Sequence, residues 1–182
     1  MKKISSAFKI VAIAFFMFGC VPYLQPIHEA IQRKDMTELK RLIEQGVDIN
    51  TVDGRGRTPL YWASLMGYTD VAKYLLAKGA NIQKGASWKD NEQPLHVAAT
   101  HGYFELVDLL LKNGADPNAE TWSHQTPLQM AAMNGKKDVV NLLLKNKANV
   151  NAKDKFNDTA LSLAQERNQN EIVQILKDHG AK

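Results

Sequence analysis

Five histidines and a single cysteine are the side chains best suited to chemistry in this 182-residue chain. Imidazoles assemble a metal site when they stand one helical turn apart or beside a thiolate. His28, His96, His101, His124 and His179 show no His-x-x-x-His spacing and no cysteine partner. A catalytic nucleophile needs a base in a recognisable local pattern, and no such pattern accompanies any Ser, Lys or Cys here. No glycine-rich phosphate loop occurs either. Catalysis, a metal, a cofactor and a small-molecule substrate are therefore not expected, which leaves recognition through a surface.

Cys20 cannot form an internal disulfide, so its thiol is available for another task. Lys2 and Lys3 begin the chain, an apolar run fills 10–18, and Gly19 stands directly before Cys20. This is the layout of a secretory signal. A transmembrane helix needs about 20 apolar residues, whereas Lys9 and Pro22 bracket a shorter stretch here. Met17-Phe18-Gly19-Cys20 resembles the bacterial lipobox, in which a glycine precedes the cysteine that is acylated before the leader is cut. Met17 and Phe18 depart from the usual Leu and small residue. The resemblance implies a signal peptide over 1–19, lipid attachment at Cys20, a short linker over 20–25 and a periplasm-facing lipoprotein of the bacterial cell envelope. Val21 in place of Asp points to the outer membrane under enterobacterial sorting rules. An uncleaved anchor and a cut elsewhere are the alternative readings.

The formal charge of +4 comes largely from that leader. Without Lys2, Lys3 and Lys9, 20 basic face 19 acidic side chains. A near-neutral domain lacks the clustered cations that phosphate backbones require, so nucleic acid is excluded as a partner. With 45% hydrophobic and 23% charged residues, the chain can bury a core.

The elements that position any surface follow from a repeat. Leu60, Leu95, Leu128 and Leu161 recur at intervals of 35, 33 and 33, and Ile27 lies 33 residues before Leu60. Ala30, Ala63, Ala98, Ala131 and Ala164 keep the same spacing. Thr58 and Thr126 are suited to cap helices whose first positions hold Pro59 and Pro127. Gly67, Gly102 and Gly135 follow each repeated Ala by four residues and supply a turn into a second helix. Apolar stretches over 71–76, 106–111, 139–144 and 172–176 form those second helices, and Gly46, Gly79, Gly114 and Gly180 close them. Lys147 and Asn168 stand where glycine is expected. At Lys147 a positive φ should cost about 1 kcal/mol.

Thr58-Pro59-Leu60, Gln93-Pro94-Leu95-His96-Val97-Ala98-Ala99 and Thr126-Pro127-Leu128 resemble the Thr-Pro-Leu-His-x-Ala-Ala signature of ankyrin repeats. The resemblance implies an all-α solenoid of about five helix-turn-helix units with projecting β-turn loops over 26–182. The units would be about 26–50, 51–83, 84–118, 119–151 and 152–182, with the first and last as caps. His96 would be a structural histidine, replaced by Tyr61, Gln129 and Ser162 elsewhere. A two-residue insertion between Gly79 and Pro94 enlarges the loop that carries Trp88.

Ankyrin proteins bind other proteins through loop tips and the exposed face of their first helices. Carried over by position, the tips are Arg55 and Arg57, Lys89 and Asp90 beside Trp88, Trp122 and Ser123, and Phe156. The helix positions are Leu65 and Met66, His101, Met133 and Asn134, and Arg167. Several of these are apolar where solvation favours polar residues, which marks an interface. Trp62 is expected in the core. The function that follows is a membrane-anchored, exported protein-binding module with a periplasmic partner. It would act either as an inhibitor or immunity protein that neutralises a toxic exported enzyme, or as a scaffold supporting a resident one.

Overall fold

A computed structural model describes residues 24–86 and 91–182. The expected signal peptide, Cys20, and the loop residues Trp88, Lys89 and Asp90 lie outside the described residues. Within them, ten α-helices run in five consecutive pairs. These are α1 (Pro26–Gln32) with α2 (Met36–Glu44), α3 (Pro59–Leu65) with α4 (Thr69–Ala77), and α5 (Pro94–His101) with α6 (Phe104–Lys112). The last two pairs are α7 (Pro127–Met133) with α8 (Lys137–Lys145), and α9 (Ala160–Glu166) with α10 (Asn170–Asp178). The chain is an all-α repeat solenoid.

The first helices from α3 onward start where the sequence supplies a cap. Thr58 Oγ1 accepts from the Tyr61 N–H at 3.1 Å, and Thr159 Oγ1 from the Ser162 N–H at 3.2 Å. In α5 the cap is Gln93, whose own N–H donates to His96 Nδ1 at 3.1 Å. Proline opens α1, α3, α5 and α7, where its missing N–H costs nothing. The helices are short, and an isolated helix of seven to nine residues is not stable in water. Packing supplies what local propensity cannot. Ile27, Leu60, Leu95 and Leu128 from the first helices are at most 1% exposed, and Leu39, Leu75, Leu110, Leu143 and Leu176 from the second helices match them. Together they fill one elongated core. Each fully buried Leu contributes about 1.5–3 kcal/mol.

First helices pack on first helices, α3 on α5, α5 on α7 and α7 on α9. Ala63, Ala98, Ala131 and Ala164, all fully buried, permit this approach. The glycines after them do two jobs. Gly67, Gly102 and Gly135 take φ of +68, +81 and +70°, and each also seats a side chain of the next pair. A Cβ there would lie 2.8 Å from the Tyr103 ring, 2.7 Å from Lys136 Cδ or 2.9 Å from Gln169. Lys147 and Asn168 adopt the positive φ anticipated for them, 66 and 56°, and Lys34 does the same in the first pair at 54°.

Between pairs the chain projects as tight hairpins. Asp53, Thr121 and Asp154 each donate a backbone N–H to the carbonyl four residues on, at 3.0–3.1 Å. The enlarged loop closes through an antiparallel bridge between Ala86 and Glu92. The outer faces of the terminal pairs are polar, with Glu29, Arg33, Lys40 and Glu44 exposed at one end and Glu171, Gln174, Lys177 and Asp178 at the other.

Candidate functional site

The hairpin tips are built from the inside. Asp53 Oδ1 accepts from the N–H groups of Arg55 (2.8 Å) and Arg57 (2.9 Å), while Oδ2 takes the Arg57 guanidinium and the Trp62 indole N–H at 2.9 Å. Burial alone would raise the Asp53 carboxyl pKa, but these donors, led by Arg57, outweigh it and hold it below the ordinary value. Arg57 also lies over the Trp62 ring at 4.3 Å from its centroid. Asp154 repeats the arrangement in the last tip, accepting from the N–H groups of Phe156 and Asp158. Thr121 takes that register position in the third tip, where its hydroxyl accepts from the Gln125 N–H at 3.2 Å and pairs with Ser123 Oγ at 3.0 Å.

A second row of side chains ties each first helix to the next hairpin. His28 Nε2 bonds the Arg57 carbonyl at 3.0 Å, and His96 Nε2 reaches the Ala119 and Gln125 carbonyls at 3.0 and 3.2 Å. Gln129 Nε2 donates to the Asp158 carbonyl at 2.7 Å. Tyr61 departs from the rule, since its hydroxyl donates to the Glu92 carboxylate at 3.1 Å. Burial pushes the His96 pKa down to about 4, against the favourable carbonyl contacts, so the ring is neutral at pH 7. Burial lowers His28 in the same way. Burial, and then the Glu92 charge, raise the Tyr61 hydroxyl. These histidines are joints of the frame. Among the described residues no group of His, Cys, Asp and Glu is arranged to hold a metal ion.

The frame sorts the residues expected at the surface. Trp122 and Phe156 project, at 57 and 69% exposure. Lys155 Nζ lies 5.2 Å from the Phe156 ring centroid, and Arg55 is exposed on its own tip. Leu65, Met66 and Met133 are half-buried along the first-helix register, with Asn134, His101 and Arg167 exposed beside them. Two expectations need correcting. Ser123 is buried, because its hydroxyl bonds Thr121 and its carbonyl accepts the Lys155 N–H at 3.0 Å, which links the last two tips. The Arg57 side chain is 11% exposed, held inward by Asp53 and Trp62. His101 and Asn134 also cap their own helices, bonding the Val97 and Met130 carbonyls at 2.9 and 2.8 Å. Trp62 is in the core as expected, 6% exposed. Sequence reasoning missed Lys153, Glu120 and His124, which reach the surface at the tips and could have been found by extending the tip register outward.

Ankyrin repeat models match residues 11–86, 27–121 and 95–182, which together cover most of the chain. The chain belongs to the ankyrin repeat family. It is 38% identical over 107 residues to a palmitoyltransferase of Lachancea kluyveri, covering 53% of this chain and 13% of that protein. It is 40% identical over 91 residues to an E3 ubiquitin-protein ligase of Caenorhabditis elegans, with coverage of 50 and 3%. A third relative, ankyrin repeat and SOCS box protein 5 of Oryctolagus cuniculus, is 37% identical over 102 residues, with coverage of 56 and 30%. The chain thus spans less than a third of the length of each of these relatives. The ankyrin repeat is a protein-interaction module, and a protein is the class of partner it implies.

Proposed function

We propose that this ankyrin chain is an exported binding module, held at a bacterial membrane by acyl chains on Cys20, that neutralises a toxic exported enzyme by binding it. The observation that carries the binding reading is the first-helix face. Leu65, Met66 and Met133 keep part of their apolar surface open to solvent at two adjacent register positions of a preformed frame. His101, Asn134 and Arg167 supply the polar contacts on that face, with Arg55, Trp122 and Phe156 at its edge. A rigid face loses little conformational entropy on association, which suits tight inhibition of one target. The anchoring reading is supported by the apolar leader that ends at Gly19-Cys20. No helix among the described residues is long and apolar enough to cross a membrane.

The test is a pull-down from detergent-solubilised envelope, with Met66→Ala/Met133→Ala and Met66→Glu/Met133→Glu beside the parent and folding checked by circular dichroism. The parent should retain a secreted hydrolase or nuclease, the Ala pair should weaken capture about tenfold or more, and the Glu pair should abolish it. Equal capture by all three folded proteins would place the partner elsewhere. Mass spectrometry of the amino-terminal peptide reads the anchor separately, through the mass of acyl groups on Cys20.

A further inference from the structure

The hairpin tips sort their charges. Asp53 and Asp154 turn inward and are 3 and 6% exposed, Asp53 holding backbone and side-chain donors and Asp154 holding the Phe156 and Asp158 N–H groups. Asp158 and Glu92 are half-buried and accept from Ser162 and Tyr61. Arg55, Lys153 and Lys155 are exposed. Among the described tip residues Glu120 is the one exposed carboxylate, and it lies 2.6 Å from His124. The large apolar groups open to water at these tips are the rings of Trp122 and Phe156. Aromatic rings beside cations at loop apices match the headgroup layer of a bilayer, where rings rest at the interface and cations meet anionic lipid.

The chain also enters the solenoid on this edge. Gln25 caps α1 in the register of Thr58, Gln93, Thr126 and Thr159, each of which directly follows its hairpin. Cys20 precedes Gln25 by five residues, a reach of under roughly 20 Å. A lipid on Cys20 would therefore tether the chain from the edge that carries the hairpins, with the tips within reach of the membrane.

We infer that the hairpin tips dock on an anionic lipid surface, which leaves the first-helix face free for the protein partner. The orientation this gives the tethered molecule rests on the acylation reading, whereas the docking itself does not. Two rings and three cations make a weak contact alone. On a tethered chain the same contact acts at high effective concentration, where weak affinity is enough to fix orientation.

The experiment uses the chain from residue 20 onward carrying Cys20→Ser, which contains every described residue and cannot be acylated. It is sedimented with vesicles of phosphatidylcholine alone and of phosphatidylcholine mixed with phosphatidylglycerol. Binding should require phosphatidylglycerol and fall with added salt. Lys153→Gln and Lys155→Gln should each reduce it about fivefold, and Trp122→Ser/Phe156→Ser should reduce it further while leaving the circular dichroism spectrum unchanged. Equal sedimentation with both vesicle types, or undiminished binding by the folded variants, overturns the proposal. So does loss of protein capture, in the envelope pull-down, on changing Trp122 and Phe156 with vesicle binding intact, because the tips would then belong to the protein partner. Failure of acylation on Cys20, read by mass spectrometry, leaves the vesicle result standing and removes only the tether.

Discussion

Between the third and fourth helix pairs, His96 reaches two carbonyls of the following hairpin and takes an N–H from Gln93 on its other nitrogen. Between the second and third, Tyr61 stands in the same register but bonds a half-buried carboxylate. The difference recurs on the far side of the solenoid. Asn50, Asn118 and Asn151 accept from the N–H groups of Asn81, Asn149 and Lys182 at 2.7–3.0 Å, each linking one pair to the next. Gln83 occupies that place after the second pair and makes no such bond. The joint that carries the enlarged loop therefore lacks both polar ties that its neighbours possess. In a solenoid, where each unit touches only its neighbours, stability is set joint by joint. Among the described residues, the second joint is held by apolar packing and the exchangeable Tyr61–Glu92 hydrogen bond.

The largest effect should come from His96→Ala, which strands the Ala119 carbonyl and the Gln93 N–H and takes one of two donors from the Gln125 carbonyl. It should cost about 3 kcal/mol, read as a lowered urea midpoint, and hydrogen exchange should show the loss centred on α5 to α7. A cost below about 1 kcal/mol would mean that water replaces the ring and that the joint is not polar in the sense argued here.

The next effect is in pH. The folded state holds His96 near pKa 4 against an ordinary value of 6.5, so folding favours the neutral ring. The stabilisation is fully present above pH 6.5 and is lost as pH falls towards 4. Its size is on the order of 3 kcal/mol at the acid end. His96→Gln copies the side chain that bridges the next joint at Gln129, so it should keep most of the stability at pH 7 and flatten the decline. The slope that remains should come from His28. An unchanged pH profile in this variant would show that the acid sensitivity arises elsewhere.

Smallest is a gain. Tyr61→His places an imidazole opposite the Glu92 carbonyl, which holds the same register as the Gln125 and Asp158 carbonyls bonded at the neighbouring joints. It should raise stability by about 1 kcal/mol and slow exchange in the enlarged loop. A loss of stability would show that the two-residue insertion moves this carbonyl out of reach.

The repeat was legible because its signals are local and recur. A capping Thr, a following Pro and a Gly after each Ala report on one turn of backbone apiece, and the structure places a helix start or a turn at each of them. The His28 joint was legible too, since Tyr61 lies 33 residues on and repeats its register, although the sequence reading did not use that offset. What the sequence hid is the choice between neighbours within a tip. Trp122 and Ser123 are adjacent, and the carbonyl that draws Ser123 inward is fixed by the Lys155 N–H, more than thirty residues away. Arg57 turns inward through Trp62 and Asp53, whereas its positional counterpart Asp158 bonds Ser162. Side-chain direction at a tip depends on particular partners, in the same unit for Arg57 and in the next for Ser123, and no periodicity encodes them.

Ser162 occupies the bridging position of α9, in the register of His28, His96 and Gln129. Its hydroxyl folds back instead on the Asp158 carboxylate and the Thr159 carbonyl, both at 3.0 Å. A His or Gln there would carry a donor beyond its own pair, as His96 and Gln129 do. Ser162 keeps its bonds within its own turn, so this pair gains a local clasp where its neighbours gain a joint.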